Sequence, residues 1–263
     1  MIQVCILNLM PTKKETERQF KSLFKNAGAR AKITWLRTAS YKSKSTPAAY
    51  LQSKYLTFEN IKKRKFDIFI ITGAPVENMA FEEVKYWREL AQILGWTQKN
   101  SLFNIFICWA AQAALYKFYG IKKYKLAKKY SGVFKQEIQN SRSVFYKDFE
   151  SGFSMPHSRH TALKKADILK NKKLVLELAC GREISVVSGK DKKNLYITGH
   201  PEYAAGTLHK EYLRDLKAGL KPAVPDGYYP QNNPRLRPRN VWRKEAVKFY
   251  KNIINHVLEL KGE

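Results

Sequence analysis

Cysteine is scarce in this sequence, acid is in short supply, and no long apolar run interrupts it. Cys5, Cys108 and Cys180 are the three cysteines among 263 residues. They are odd in number, widely spaced and without a C-x-x-C pair, which excludes a disulfide framework and a structural zinc site and suits a reducing compartment. No stretch approaches the roughly 20 apolar residues that a membrane-spanning helix needs. The start, Met1-Ile2-Gln3-Val4-Cys5-Ile6-Leu7-Asn8-Leu9, has neither the basic opening nor the small-residue cleavage site of a signal peptide. It reads as a buried first strand, and together these absences point to the cytoplasm, with no membrane partner and no metal. There is no internal repeat and no domain linker, so residues 1–263 read as one domain. A composition of 44% hydrophobic and 13% aromatic residues can fill a sizeable core.

The shortage of acid leaves 49 Lys and Arg against 22 Asp and Glu, a formal net charge of +27. Such a field attracts anions, and nucleic acid is the first suspicion. Yet the basic residues are scattered, in clusters at 62–65, 117–129, 164–173 and 190–193, without zinc-finger spacing or an RNA-binding sheet signature. A basic surface suited to a phosphate-bearing small molecule accounts for them better than specific nucleic-acid binding.

What is present is alternation. Apolar runs at 2–9, 31–36, 66–72 and 102–107 read as strands, and patterns at 14–27, 82–95 and 109–119 read as helices. That order predicts an α/β fold, a mostly parallel central sheet with helices on both faces. The second half offers shorter strands near 132–138, 173–179, 183–188 and 194–198, several of them antiparallel, and helices at 207–219 and 242–259. Between those helices five prolines punctuate 221–239, an irregular connection that should pack on the surface because Tyr228 and Tyr229 need burial.

Three segments carry chemistry. Asn104-Ile105-Phe106-Ile107-Cys108-Trp109-Ala110-Ala111 ends an apolar strand at a cysteine and begins a small-residue helix at once. A nucleophile on such a turn stands clear of the backbone, and the helix N-terminus favours a thiolate and a nearby oxyanion. A buried core cysteine is the competing reading. Leu195-Tyr196-Ile197-Thr198-Gly199-His200-Pro201-Glu202 delivers a histidine at a strand end with a carboxylate two residues on, the base and orienting group that cysteine chemistry needs. Ile71-Thr72-Gly73-Ala74-Pro75-Val76-Glu77 runs a strand into a turn whose Ala74 amide could face the Trp109 amide as an oxyanion hole.

These three segments resemble class I glutamine amidotransferases, a flavodoxin-like fold. More closely, the chain resembles the homoserine O-acyltransferases, the homoserine O-succinyl- and O-acetyltransferases of methionine biosynthesis. The likeness extends through Ile6 to Lys13, Glu15-Thr16-Glu17, Phe81 to Trp87, Gly132-Val133-Phe134, Pro156 to Thr161, Tyr203 and Glu211 to Asp215, nearly the whole chain in order. It implies Cys108 as acyl-thioester nucleophile, His200 as proton acceptor and Glu202 as its partner. It further implies Lys129, Ser158 and Arg214 as substrate-binding residues, and Glu77 as the position that selects the acyl donor, where glycine goes with succinyl-CoA and glutamate with acetyl-CoA. Outside the family pattern, Ser158 would read as a turn cap, Lys129 as a solvated lysine and Arg214 as a partner of Asp215 or Glu211. Ala110 replaces the family's glycine after Cys-Trp, and Trp242-Arg243-Lys244-Glu245 departs from its Trp-Arg-Ser-His. The expectation is acetyl transfer from acetyl-CoA, a co-substrate rather than a bound cofactor, to L-homoserine, with a homodimer left open. L-serine as acceptor (for cysteine biosynthesis), succinyl-CoA as donor, glutamine hydrolysis and a basic nucleic-acid-binding module are the alternatives.

Overall fold

The computed structural model describes residues 1–263. Four apolar strands occupy the first half: β1 (Ile2–Leu7), β2 (Ala31–Leu36), β3 (Phe66–Ile71) and β4 (Ser101–Ile107). The helices among and after them are α1 (Lys13–Asn26), α2 (Ala48–Lys54), α3 (Phe58–Ile61), α4 (Trp87–Asn100) and α5 (Trp109–Tyr119). The second half adds β5 (Lys123–Lys135), β6 (Glu137–Ile138), β7 (Ser154–Leu163), α6 (Lys165–Lys170), β8 (Leu174–Cys180), β9 (Glu183–Gly189), β10 (Asn194–Ile197), α7 (Thr207–Lys217) and α8 (Arg243–Lys261).

Eight strands form one sheet in the order β2-β1-β3-β4-β10-β9-β8-β6. Pairing is parallel from β2 through β10 and antiparallel from β10 to β6, as the change of character halfway along the sequence predicts. Every residue of β3 and of β10 is buried, which explains why both read as mostly apolar runs rather than alternating ones. Successive side chains leave opposite faces. Val4, Ile68, Ile105 and Ile197 enter a layer with Phe20 of α1 and Phe249 of α8, while Cys5, Phe69, Phe106 and Tyr196 meet Leu94 of α4 and Leu115 of α5.

β5 and β7 form a separate antiparallel ribbon. The sequence predicts only the second half of β5, as 132–138. The lysine-rich first half has no period-two pattern because the ribbon lies off the main sheet and is largely exposed there. The helix expected at 82–95 begins at Trp87 instead. Glu83 turns back to accept the Ala80 N–H at 2.9 Å, and Phe81 and Val84 are buried from a turn. Residues 221–239 are irregular apart from one short 3-10 turn, and Tyr228 and Tyr229 are buried at 4% exposure each. That connection is tied to β5, with the Val133 N–H donating to the Asp226 carbonyl at 2.8 Å and the Asp226 N–H to Ser131 at 2.9 Å. Because β3, β4 and β10 are parallel, Gly73, Cys108 and His200 emerge at the same edge of the sheet, where ligand sites form in such folds.

Candidate active site

Cys108 holds the turn from β4 into α5 at φ 54°, ψ −117°, a left-handed conformation that costs a non-glycine residue about 1–3 kcal/mol and persists only where the surroundings enforce it. The enforcement is visible. The Cys108 N–H donates to the Ile197 carbonyl at 2.6 Å, locking the elbow to β10. Ala110, Ala111, Ala113 and Ala114 are buried to within 1%, so α5 starts hard against the sheet. On the other side Gly73 has no side chain to spare. A Cβ there would lie 3.1 Å from the Cys108 Cβ, 3.7 Å from its sulfur and 3.5 Å from Cε1 of His200. One bare glycine thus keeps Cys108, His200 and the β3 loop together. The Ala74 N–H is engaged by no backbone carbonyl, and the Trp109 N–H, in the first turn of α5, has no partner within its helix. Both are free to meet an oxyanion.

His200 is 2% exposed and Glu202 4%. The imidazole Nδ1 lies 2.7 Å from Oε1 of Glu202, the His200 N–H donates to the Pro156 carbonyl at 2.8 Å, and the ring stacks on Tyr203 with centroids 4.0 Å apart. Burial opposes charge on this ring, but the Glu202 carboxylate and the Cys108 sulfur outweigh it and hold the histidine well above its ordinary pKa. The imidazole thus stands between the Glu202 carboxyl and the Cys108 sulfur.

A second group lies on β5, β7 and α7. Ser158 donates to Oε2 of Glu211 at 2.5 Å, and the Tyr203 hydroxyl donates to Oε1 of the same carboxylate at 2.8 Å. Lys129 pairs with Oδ2 of Asp215 at 2.8 Å, while Arg214 approaches Oδ1 at 2.9 and 2.7 Å. Burial would raise the Asp215 carboxyl, yet these two cations bring it below its usual range. Arg214 therefore sits on Asp215, the pairing expected of it outside the family pattern, with part of its guanidinium exposed. Glu77 stands between the two groups. Burial raises its carboxyl, and the backbone of His160 and the charges of His160, Lys129 and His200 pull the other way. It is thus within electrostatic reach of both the histidine and the second cluster.

Two residues in these contacts fall within the family likeness but receive no role from the sequence. Tyr203 joins His200 to Glu211, from three residues beyond the histidine. His157 lies beneath the Gly199–His200 loop, fully buried. A Cβ on Gly199 would come within 2.8 Å of its ring, so glycine is required there. Burial, with Arg159 and His200 nearby, holds His157 well below the ordinary histidine pKa and thus neutral.

A buried thiol–imidazole–carboxylate set, free amides beside the sulfur and flanking cations are the parts of an acyl-transfer site. Comparison with known proteins agrees. The family model described as homoserine O-succinyltransferase matches residues 1–261. A homoserine O-acetyltransferase of Geobacillus sp. (strain WCH70) is 42% identical over 97% of this chain and 85% of its own length. One from Desulfovibrio desulfuricans is 43% identical over 97% and 82%, and one from Thermotoga petrophila 43% over 99% and 86%. Among solved structures, a glutamine amidotransferase from Thermotoga maritima superposes with a TM-score of 0.65 at 12% identity, covering 98% of both chains. One from Methylobacillus flagellatus gives 0.62 at 11% identity, over 98% of this chain and 94% of that one. At such identity the likeness concerns the fold, which is the class I glutamine amidotransferase-like one.

Proposed function

The chain belongs to the homoserine O-succinyltransferase family and is an acyltransferase, and from that premise we propose that it moves the acetyl group of acetyl-CoA to the hydroxyl of L-homoserine, through a thioester on Cys108, as a step of methionine biosynthesis in the cytoplasm. We take residues 1–263 as one acyltransferase domain. The observation that carries the mechanism is the buried His200, flanked by Glu202 and the Cys108 sulfur and raised in pKa by both.

In the first half-reaction the Cys108 thiolate attacks the thioester carbonyl. The developing oxyanion is met by the Trp109 and Ala74 amides, a contribution that in comparable sites is about 2.7–4 kcal/mol per donor. The carbonyl re-forms, the carbon–sulfur bond to CoA breaks, and His200 gives its proton to the departing thiolate. In the second half the homoserine hydroxyl passes its proton to the now neutral His200 as its oxygen attacks the acetyl thioester. Collapse releases O-acetylhomoserine and restores the thiolate beside the imidazolium. Glu202 fixes the tautomer through Nδ1. Lys129, Ser158 and Arg214 hold the amino acid, the guanidinium gripping its carboxylate. For that Arg214 must turn from Asp215 or share it, and its partial exposure allows either.

Glu77 favours acetyl over succinyl. A succinyl tail would bring a second carboxylate to a half-buried one, at a cost on the order of 1–4 kcal/mol for charges about 4 Å apart. Homoserine is preferred to serine on the relatives' names alone, since one methylene contributes only about 1–3 kcal/mol of discrimination.

Mass spectrometry after mixing the protein with acetyl-CoA and no acceptor should show an acetyl adduct on Cys108, absent in Cys108→Ala. An adduct on Cys5 or Cys180 would overturn the assignment. A thiol-release assay pairing acetyl- and succinyl-CoA with homoserine and serine should then give acetyl-CoA and homoserine the highest kcat/KM, with Glu77→Gly moving the donor ratio toward succinyl-CoA. Ammonia release from glutamine in place of acyl transfer would point to the glutaminase alternative.

A further inference from the structure

Acetyl-CoA presents its reacting carbonyl at one end of a long narrow arm and its diphosphate and 3′-phosphate at the other. If Cys108 takes the acetyl group, the rest of the donor needs a path, and the surface next to Glu77 provides one. A cleft of about 290 Å³ opens there, lined by Glu77, Met79, Phe81, Tyr116, Lys123 and Thr161 among others. Its shape is pinned. The Lys123 ammonium donates to the carbonyls of Glu77 and of Met79, the latter at 2.6 Å, and lies 5.0 Å over the Phe81 ring. That ring in turn stacks on Tyr116 at 4.8 Å. The lining alternates aromatic surface from Phe81, Tyr116 and Tyr124 with polar groups such as Asn78, Glu82 and Thr161, a mixture that suits the alternating alkyl and amide stretches of a pantetheine arm.

The cleft does not end blindly. Lys122, Lys123 and Tyr124 form a wall shared with a second cleft of about 550 Å³, which continues to Lys164, Asp167 and Lys170 beyond the end of α5. Lys122, Lys164 and Lys170 are exposed, and none of them takes part in the ion pairs of the chain. Asp167 is the one acid in this lining. Unpaired ammonium groups converging on a concave surface act as point charges for phosphate. They also occur at the far end of a groove whose near end is the acyl-donor position.

We infer that the acyl-CoA lies along these two joined clefts, its pantetheine arm in the first, running past the Phe81–Lys123 pair, and its phosphates in the second, held by Lys122, Lys164 and Lys170. The inference rests on the acyl-CoA reading of the active site and assigns a nucleotide subsite to it.

Steady-state kinetics on the full chain, with acetyl-CoA, 3′-dephospho-acetyl-CoA and S-acetylpantetheine as donors to homoserine, test it. In the wild type the KM should rise along that series. In the Lys122→Ala/Lys164→Ala/Lys170→Ala variant the KM for acetyl-CoA should rise about tenfold or more with kcat within about twofold. S-acetylpantetheine should be used as well as by the wild type, which also reports that the variant is folded. The corresponding Lys→Arg variant should restore most of the affinity for acetyl-CoA. An unchanged acetyl-CoA KM in the alanine variant, beside a wild type that turns acetyl-CoA over, would overturn the subsite and leave the acetyltransferase reading standing. A wild type that takes an acetyl group from none of the three donors would overturn both.

Discussion

The His200 ring stands between two anions whenever Cys108 is ionised, and burial works against its charge throughout. The balance changes during turnover. Once Cys108 is acylated its sulfur is neutral, one of the two supports for the imidazolium disappears, and the pKa of the ring falls. The same residue can therefore serve as acid toward departing CoA and as base toward the incoming hydroxyl. The sign is testable without catalysis. Following the ring protons of His200 by NMR titration, Cys108→Ala should lower its pKa and Glu202→Gln should lower it further, because Glu202 is the larger support. Near neutral pH the ring would pass from charged in the wild type to neutral in Glu202→Gln. A pKa unmoved in both variants would show that the ring is charged by something else. Of these residues the sequence reveals Cys108, His200 and Glu202, since each sits at or just beyond the end of an apolar strand. It assigns no site role to His157 or Glu211, whose contacts depend on what the β5–β7 ribbon and α7 pack against. Nothing local marks Gly73 as the residue that must be bare.

The elements that read well are those buried on both faces. β1, β3 and β4 are mostly apolar runs broken by only one or two polar residues each, and α5 follows Cys108 without a gap. The ribbon reads poorly because its strands have no second sheet neighbour and so no alternation. It nevertheless shapes the site, since β5 and β7 carry Lys129 and Ser158. Its fixing point is Gly132, where the backbone runs against Asp226 of the irregular connection. A Cβ on Gly132 would come within 2.3 Å of the Asp226 carbonyl oxygen, so Gly132→Ala must separate the two segments. Overpacking of this kind costs about 1–3 kcal/mol, read as a lower midpoint in urea unfolding. The connection also holds α7, through the Tyr228 hydroxyl accepting the His209 N–H at 3.0 Å. Loosening it should therefore raise the KM for homoserine more than that for the donor, together with faster proteolysis within 221–239. A variant as stable and protease-resistant as the wild type would show that the tether carries no strain.

Across the whole molecule the excess of base is the least specific feature of the sequence and the one read least completely. Composition says that anions will be attracted, and only the fold shows that unpaired lysines border a groove leading from Glu77. Few of the 49 basic side chains are neutralised by neighbours, so the field extends into solvent until salt screens it over about 8 Å at physiological ionic strength. Capture of acetyl-CoA should then weaken as salt rises. We expect its kcat/KM to fall roughly three- to tenfold between low and moderately high ionic strength, with that for S-acetylpantetheine nearly flat. Parallel salt curves for the two donors would mean that the charge serves something other than the nucleotide, and nucleic-acid affinity surviving Cys108→Ala would say what.

β4 lies in the sheet between β3 and β10, yet β10 comes far later in the chain than β4. On a ribosome adding roughly 5–20 residues per second, β4 waits on the order of 5–20 seconds for that neighbour. Throughout the wait Phe103, Ile105 and Ile107 border an open strand edge, the kind of template on which nascent chains stick to one another. Soluble yield should therefore respond to the pace of translation and to chaperones covering this edge, as well as to the stability of the finished protein. Cys108 emerges long before His200, so the two can meet only once β10 has docked beside β4.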